Sequence, residues 1–80
     1  MRIEARFFGL CRDLAGLNQR EINMNEGATV ACLKEMVVVD LPQLKNLPYL
    51  IVVVNGDYVG EHFSLSQGDE VDFLPPLSGG

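Results

Sequence analysis

Tryptophan is absent from this chain, histidine occurs once and cysteine twice, and basic side chains number 6 against 11 acidic ones. Each scarcity removes a class of function. With His62 alone, and no second His or Cys near Cys11 or Cys32, no Ser-His-Asp pattern, metal-ligand spacing or Cys-His nucleophile can be assembled. No glycine loop has phosphate-cradling spacing. His62, next to Glu61, reads as a solvated surface residue. The cysteines read as inert unpaired thiols, with Cys32 in the core. The basic residues Arg2, Arg6, Arg12, Arg20, Lys34 and Lys45 are scattered and form no stripe that follows a phosphate backbone, so nucleic acid is not an expected partner. The longest uninterrupted aliphatic stretch, Leu50–Val54, is far short of the ~20 residues that cross a bilayer. The N-terminus alternates like a strand, where a signal peptide would carry an apolar block. These readings place the protein in the cytoplasm and off the membrane.

What is present is ordinary for a compact fold: 80 residues, 48% hydrophobic and 21% charged, with a net charge of −5. A chain of this length makes one domain and buries ~60–65% of the surface its unfolded form exposes, which leaves no room for a large enclosed active site.

Residues 2–8 alternate, with Ile3, Ala5 and Phe7 on one face and Arg2, Glu4, Arg6 and Phe8 on the other, the period of a half-buried strand. After Gly9, Leu10–Ala15 makes a helical turn, and Leu17–Asn25 alternates again with Ile22 and Met24 inward. Thr29 is placed to cap a helix over 29–38 whose apolar face is Val30, Leu33, Met36 and Val37, with Lys34 and Glu35 toward water. The β-branched run Val37–Val39 weakens its end. The pairs Leu41-Pro42 and Leu47-Pro48 predict a loop. Leu50–Val54 reads as a central strand covered on both faces, and Asn55-Gly56 as a type I′ hairpin returning through Asp57, Tyr58 and Val59. Gln67-Gly68-Asp69 turns the chain into a last strand, Glu70–Leu74, with Val71 and Phe73 inward. The acidic run Asp69, Glu70 and Asp72 is split between a turn and one strand face, which makes it a solvated surface and not a cation site. The order is that of an α+β fold, a mixed sheet covered on one face by one main helix.

Residues 1–74 account for the folded domain, leaving 75–80 as a tail. Pro75 and Pro76 lack the N–H groups that would extend a sheet, and Gly79 and Gly80 carry no side chains, so a backbone carboxylate is held away from the body in a form that fits a narrow slot. A carboxylate becomes electrophilic only when activated, for example as an acyl-adenylate, and close approach of an activating enzyme suits glycine at both terminal positions. Phe8 and Leu74 are large, apolar and out of phase with Phe7 and Phe73. If the first and last strands pair, these two become neighbours on the outer face, near Tyr58, as an exposed patch beside the tail root that suits a protein interface.

Five segments, Phe7-Phe8-Gly9-Leu10-Cys11-Arg12-Asp13, Gly27-Ala28-Thr29-Val30 with Leu33, Val53-Val54-Asn55-Gly56, Gly68-Asp69-Glu70-Val71 and Pro75-Pro76-Leu77-Ser78-Gly79-Gly80, cover nearly the whole chain. Together and in order they resemble the MoaD/ThiS ubiquitin-like sulfur carriers, and among them the small subunits of molybdopterin synthase. The resemblance implies a β-grasp (ubiquitin-like) fold. It also implies a cycle in which a ubiquitin-activating-type adenylyltransferase adenylates Gly80 with ATP, and a sulfur donor, a sulfurtransferase or cysteine desulfurase, converts it to a thiocarboxylate. The tail Pro75, Pro76, Leu77, Ser78 and Gly79 would then thread into the large synthase subunit, which catalyses sulfur transfer to cyclic pyranopterin monophosphate. Phe8, Tyr58 and Leu74 occupy family positions that dock partners. The carrier itself would be non-catalytic, with no metal and no cofactor beyond the transient adenylate. Gly9 stands where alanine is frequent, and Cys11 is unusual in its loop. Three other roles fit the same tail or patch: a carrier for thiamine's thiazole or another pathway, against which Pro75-Pro76 argues, a ubiquitin-like modifier joined to lysines through Gly80, and a non-covalent adaptor.

Overall fold

The computed structural model describes residues 1–76. Strand β1 (Arg2–Phe7) and strand β2 (Gln19–Asn23) form an antiparallel pair around the short helix α1 (Leu10–Ala15). The main helix α2 (Val30–Asp40) follows, then a 3-10 turn (Pro42–Asn46), the hairpin of β3 (Ile51–Val54) and β4 (Asp57–Tyr58), and β5 (Glu70–Leu74). The sheet order is β2-β1-β5-β3-β4, with β5 parallel to β1 and antiparallel to β3. This is the mixed sheet with one main helix that the alternation predicts.

The core is the inward phase of the strands closed by α2. Ile3, Ala5, Phe7, Val71 and Phe73 are at most 2% exposed, and Val30, Leu33 and Val37 of α2 complete the same cluster. In-register pairing of Phe7 with Phe73 brings their rings to 5.4 Å between centroids at an interplanar angle of 16°. Stacking adds an orientation preference to the burial of two large side chains. The start of α2 is fully satisfied: Thr29 Oγ1 accepts from the Cys32 N–H, and the Val30 and Ala31 N–H groups donate to the carbonyls of Phe63 and Glu61. The α2 N-terminus is thereby tied to the 61–63 loop and has no donors left there for an anion. The hairpin turn has Asn55 at φ 49° and Gly56 at φ 88°, the positive pair a type I′ turn needs.

Several details differ from the sequence expectation. Cys32 is exposed and Cys11 is the buried cysteine, because the buried stripe of α2 runs Val30, Leu33, Val37, and Cys32 sits about 100° away from Leu33 around the helix. Met36 lies at the edge of that stripe and is 38% exposed. Lys34 is half-buried, its Nζ bonded to Glu61 Oε1 at 2.9 Å, and this contact holds the Glu61 carboxyl below its ordinary range. The helix continues through the valine run to Asp40, since burial of Val37 outweighs the small propensity cost of branching. Pro42 starts the 3-10 turn at a position where its missing N–H costs nothing, and the turn buries Leu44. Finally, β3 is one strand from the edge and β5 holds the centre, although Val52, Val53 and Val54 are all buried as expected.

Replacing Phe73 by Ala should lower the unfolding free energy by about 3–5 kcal/mol, measured by urea denaturation. A thiol reagent should label Cys32 in the native protein and reach Cys11 only on unfolding. Burial raises the Cys11 thiol pKa, whereas the Thr29 hydrogen bonds lower that of Cys32; mass spectrometry of the alkylated peptides distinguishes the two.

Candidate functional site at the tail root

The phases of the strands that the core does not use share the outer face of the sheet, and the register sorts them into rows. One row runs Gln19, Arg6, Asp72, Val53, Tyr58 across all five strands. The next toward the C-terminal end of β5 holds Leu74 beside Ile51, with Phe8 on the other side of Leu74, where the Phe8 N–H continues the ladder by donating to the Phe73 carbonyl at 3.1 Å. On the opposite side lie Glu21, Glu4 and Glu70. The outer face is therefore apolar at the end where β5 leaves the sheet and acidic at the other.

Phe8 and Leu74 are brought together as the alternation predicts, Phe8 39% exposed and Leu74 half-buried. Tyr58, 75% exposed, is on the same face but beside Val53, with β3 and β5 between it and Phe8. Pro75 and Pro76 follow directly and are half-buried. Pro75 rests on Gly9: a Cβ built there would stand 3.5 Å from Pro75 Cγ, and Gly9 has φ 54°, a region side-chain-bearing residues rarely adopt. Thus the turn after β1 seats the first residue after β5. Gly80, the expected carrier residue, and Leu77, Ser78 and Gly79 of the expected threading tail lie outside the described residues.

Sequence reasoning missed the polar centre of this surface. Arg6 and Asp72 form a two-pronged ion pair, Nε to Oδ1 at 2.7 Å and Nη2 to Oδ2 at 3.0 Å, and the Arg6 guanidinium carbon lies 5.6 Å from the Phe8 ring centroid. The hydrogen bond to Asp72 raises the Arg6 pKa, so the guanidinium is permanently charged. A signal was available, since each of these residues precedes an inward phenylalanine, Phe7 or Phe73, on strands expected to pair. Ile51 was missed as well, being counted among residues covered on both faces.

The acidic run has structural uses. Asp69 accepts from Asn55 Nδ2 at 2.9 Å and from the Ser66 N–H at 2.8 Å, and Asp72 is taken by Arg6. Among the described residues no group of three or more His, Cys, Asp or Glu is placed to hold a metal ion, and no helix is long and apolar enough to cross a membrane. His62 is exposed, beside Glu61.

With this geometry in view, the sequence matches the profile of the ThiS family over residues 5–80. The chain belongs to the ThiS family. It is 31% identical over the full length of both chains to a protein of Chlamydomonas reinhardtii named molybdopterin synthase sulfur carrier subunit. Among solved structures, the putative molybdopterin converting factor subunit 1 of Pyrococcus furiosus superposes with a TM-score of 0.89 at 29% identity, covering 96% of this chain and 99% of that one. SAMP1 of Haloferax volcanii shares the fold at a TM-score of 0.88, 24% identity and full coverage of both chains. So does a chain from the complex of molybdopterin-converting factor subunits 1 and 2 of Helicobacter pylori, at 0.73, 24% and full coverage of both. The β-grasp, ubiquitin-like architecture of this ThiS-family chain is thus shared with these structures.

Phe8→Asp should leave the thermal unfolding midpoint nearly unchanged, as expected for a surface substitution worth about ±0.5 kcal/mol, whereas Phe7→Asp should abolish folding. Circular dichroism melts of the two variants check the phase assignment on which the outer surface rests.

Proposed function

We propose that this chain is a sulfur carrier that delivers sulfur to the assembly of molybdopterin, working through the carboxylate of Gly80. The observation that carries the reading is full-length likeness to a named molybdopterin synthase sulfur carrier subunit in a chain that carries the segment Pro75-Pro76-Leu77-Ser78-Gly79-Gly80. The fold supports it. Strand β5 ends at Leu74, and Pro75 and Pro76 follow it beside an apolar surface suited to a partner.

The chemistry follows from what a terminal carboxylate lacks. Its carbon is a poor electrophile until an oxygen is made a leaving group, so an adenylyltransferase of the ubiquitin-activating type joins it to the AMP portion of ATP and releases pyrophosphate. A sulfurtransferase or cysteine desulfurase then supplies sulfur as a persulfide, whose outer sulfur attacks the acyl carbon as AMP departs. A second thiol cleaves the resulting acyl disulfide, is itself taken into a disulfide with the donor sulfur, and leaves Gly80 carrying a thiocarboxylate. The adenylate is transient, and no cofactor stays bound. Docking through Phe8, Leu74 and Tyr58 presents the loaded tail to the large subunit of molybdopterin synthase, where Pro75 to Gly79 thread the slot and the large subunit catalyses sulfur transfer to cyclic pyranopterin monophosphate. The Helicobacter pylori complex of subunits 1 and 2, built on the same fold, supports such a two-subunit assembly. We place the carrier in the cytoplasm, in keeping with two unpaired cysteines.

Incubation with magnesium-ATP, a cognate adenylyltransferase and a sulfur donor should raise the intact mass by the replacement of one oxygen by one sulfur. Adding a single residue after Gly80 should abolish that gain and leave the fold intact. An unchanged mass with verified active partners, or isopeptide-linked conjugates in its place, would sink the carrier reading in favour of a modifier.

A further inference from the structure

Phe8 lies just past β1 on the outer face, 39% exposed and outside the buried core, and the proposed docking surface depends on it. Leu74 lies beside it, and the Arg6 guanidinium carbon is 5.6 Å from its ring centroid. Arg6 is itself held. Its two bonds to Asp72 fix the plane of the guanidinium, because a planar fork matched to a carboxylate has a single favourable alignment. Asp72 is the anchored member, its side chain 18% exposed against 38% for Arg6.

We propose that Arg6 is a positioning residue of the docking surface, locked by Asp72 so that it holds the Phe8 ring in the orientation the partner meets. The inference rests on the carrier reading above and deepens it. Three physical points support it. A cation over a ring attracts weakly in water and more strongly once water is excluded, so the Arg6–Phe8 contact strengthens when a partner covers it. Pre-ordering of a ring removes part of the entropy cost of binding. The pair is also neutral as a unit, so an apolar partner surface can cover it without burying an unmatched charge, which neither Arg6 nor Asp72 alone would permit. Joining β1 to β5 does not require the pair, since the Phe7–Phe73 stack and the ladder already do so. The pair is partly exposed through Arg6, so its own contribution to stability is modest.

Lysine keeps the charge but lacks both the fork and the flat face, so Arg6→Lys isolates the geometry. The test is a double-mutant cycle for binding of the full-length chain to the cognate molybdopterin synthase large subunit by calorimetry, using wild type, Arg6→Lys, Phe8→Ala and the double variant. Arg6→Lys should weaken binding about tenfold with an unfolding midpoint close to wild type. The double variant should bind no more weakly than Phe8→Ala alone, because Arg6 acts through the ring. Aromatic proton signals of Phe8 in the free protein should move in Arg6→Lys. Should that variant fail to fold, Asp72→Asn frees the fork with Arg6 still present and should give the same loss. Additive losses, or wild-type affinity in Arg6→Lys, overturn the role of Arg6 while the carrier reading stands. Failure of wild type to bind the large subunit, or to acquire a thiocarboxylate, overturns the carrier reading and this inference with it.

Discussion

The parallel pairing of β1 with β5 is the constraint on which the rest depends. It joins the first and last strands of the chain at the middle of the sheet, and its in-register contacts, Ala5 with Val71 and Phe7 with Phe73, form the centre of the core. A parallel pair cannot close through a tight turn, so everything between the two strands serves as the crossover. Helix α2 lies within that crossover and covers the inner face. The same pairing decides where the tail starts. Because β5 runs parallel to β1, its C-terminal end emerges beside Phe8 and Gly9, and Pro75 meets the turn that ends β1.

One register therefore sets the core and the outer surface together. Side chains alternate, so placing Phe7 against Phe73 inside obliges Arg6 to face Asp72 and Phe8 to lie beside Leu74 outside. A slip of one residue would exchange the faces, putting Arg6 in the core and Phe7 in water, and the cost of burying the charge excludes it. The apolar row at the tail root is fixed as firmly as the core, although most of its side chains remain partly exposed.

Legibility in the sequence followed the strength of periodicity. β1 and β5 could be read almost to the residue, because Ile3-Ala5-Phe7 and Val71-Phe73 alternate cleanly, and Asn55-Gly56 announced its hairpin through backbone sterics. Helix α2 was legible as an element but not in phase: Val30, Cys32, Leu33, Met36 and Val37 offer more apolar positions than one stripe accommodates, and only packing against the sheet chose Leu33 over Cys32. The 3-10 turn at 42–46 was not legible, since the rule for residues before proline excludes a continuing helix yet permits one to begin at the proline itself. Arg6–Asp72 escaped notice for a different reason. Its partners are 66 positions apart, and only the exact strand register, which sequence alternation leaves open by steps of two, makes them meet.

The same economy bears on where chemistry can reside in so small a chain. With 80 residues the inner face, the helix and the turns are all committed to one core, which among the described residues holds no buried polar or charged side chain. On the proposed carrier reading the chain works by presenting groups to other proteins, and this surface suits that use. Apolar side chains gather where the chain leaves the sheet, carboxylates gather at the far end of the same face, and the Arg6–Asp72 pair between them is neutral as a unit. Glu21, Glu4 and Glu70 in one cross-strand row repel each other, a cost the fold tolerates with Arg2 drawn to Glu21 at 3.6 Å on one side and Arg6 on the other. A partner that is apolar opposite Phe8 and Leu74 and basic opposite the glutamate row would match both halves at once, and that match would fix the direction in which the tail is offered.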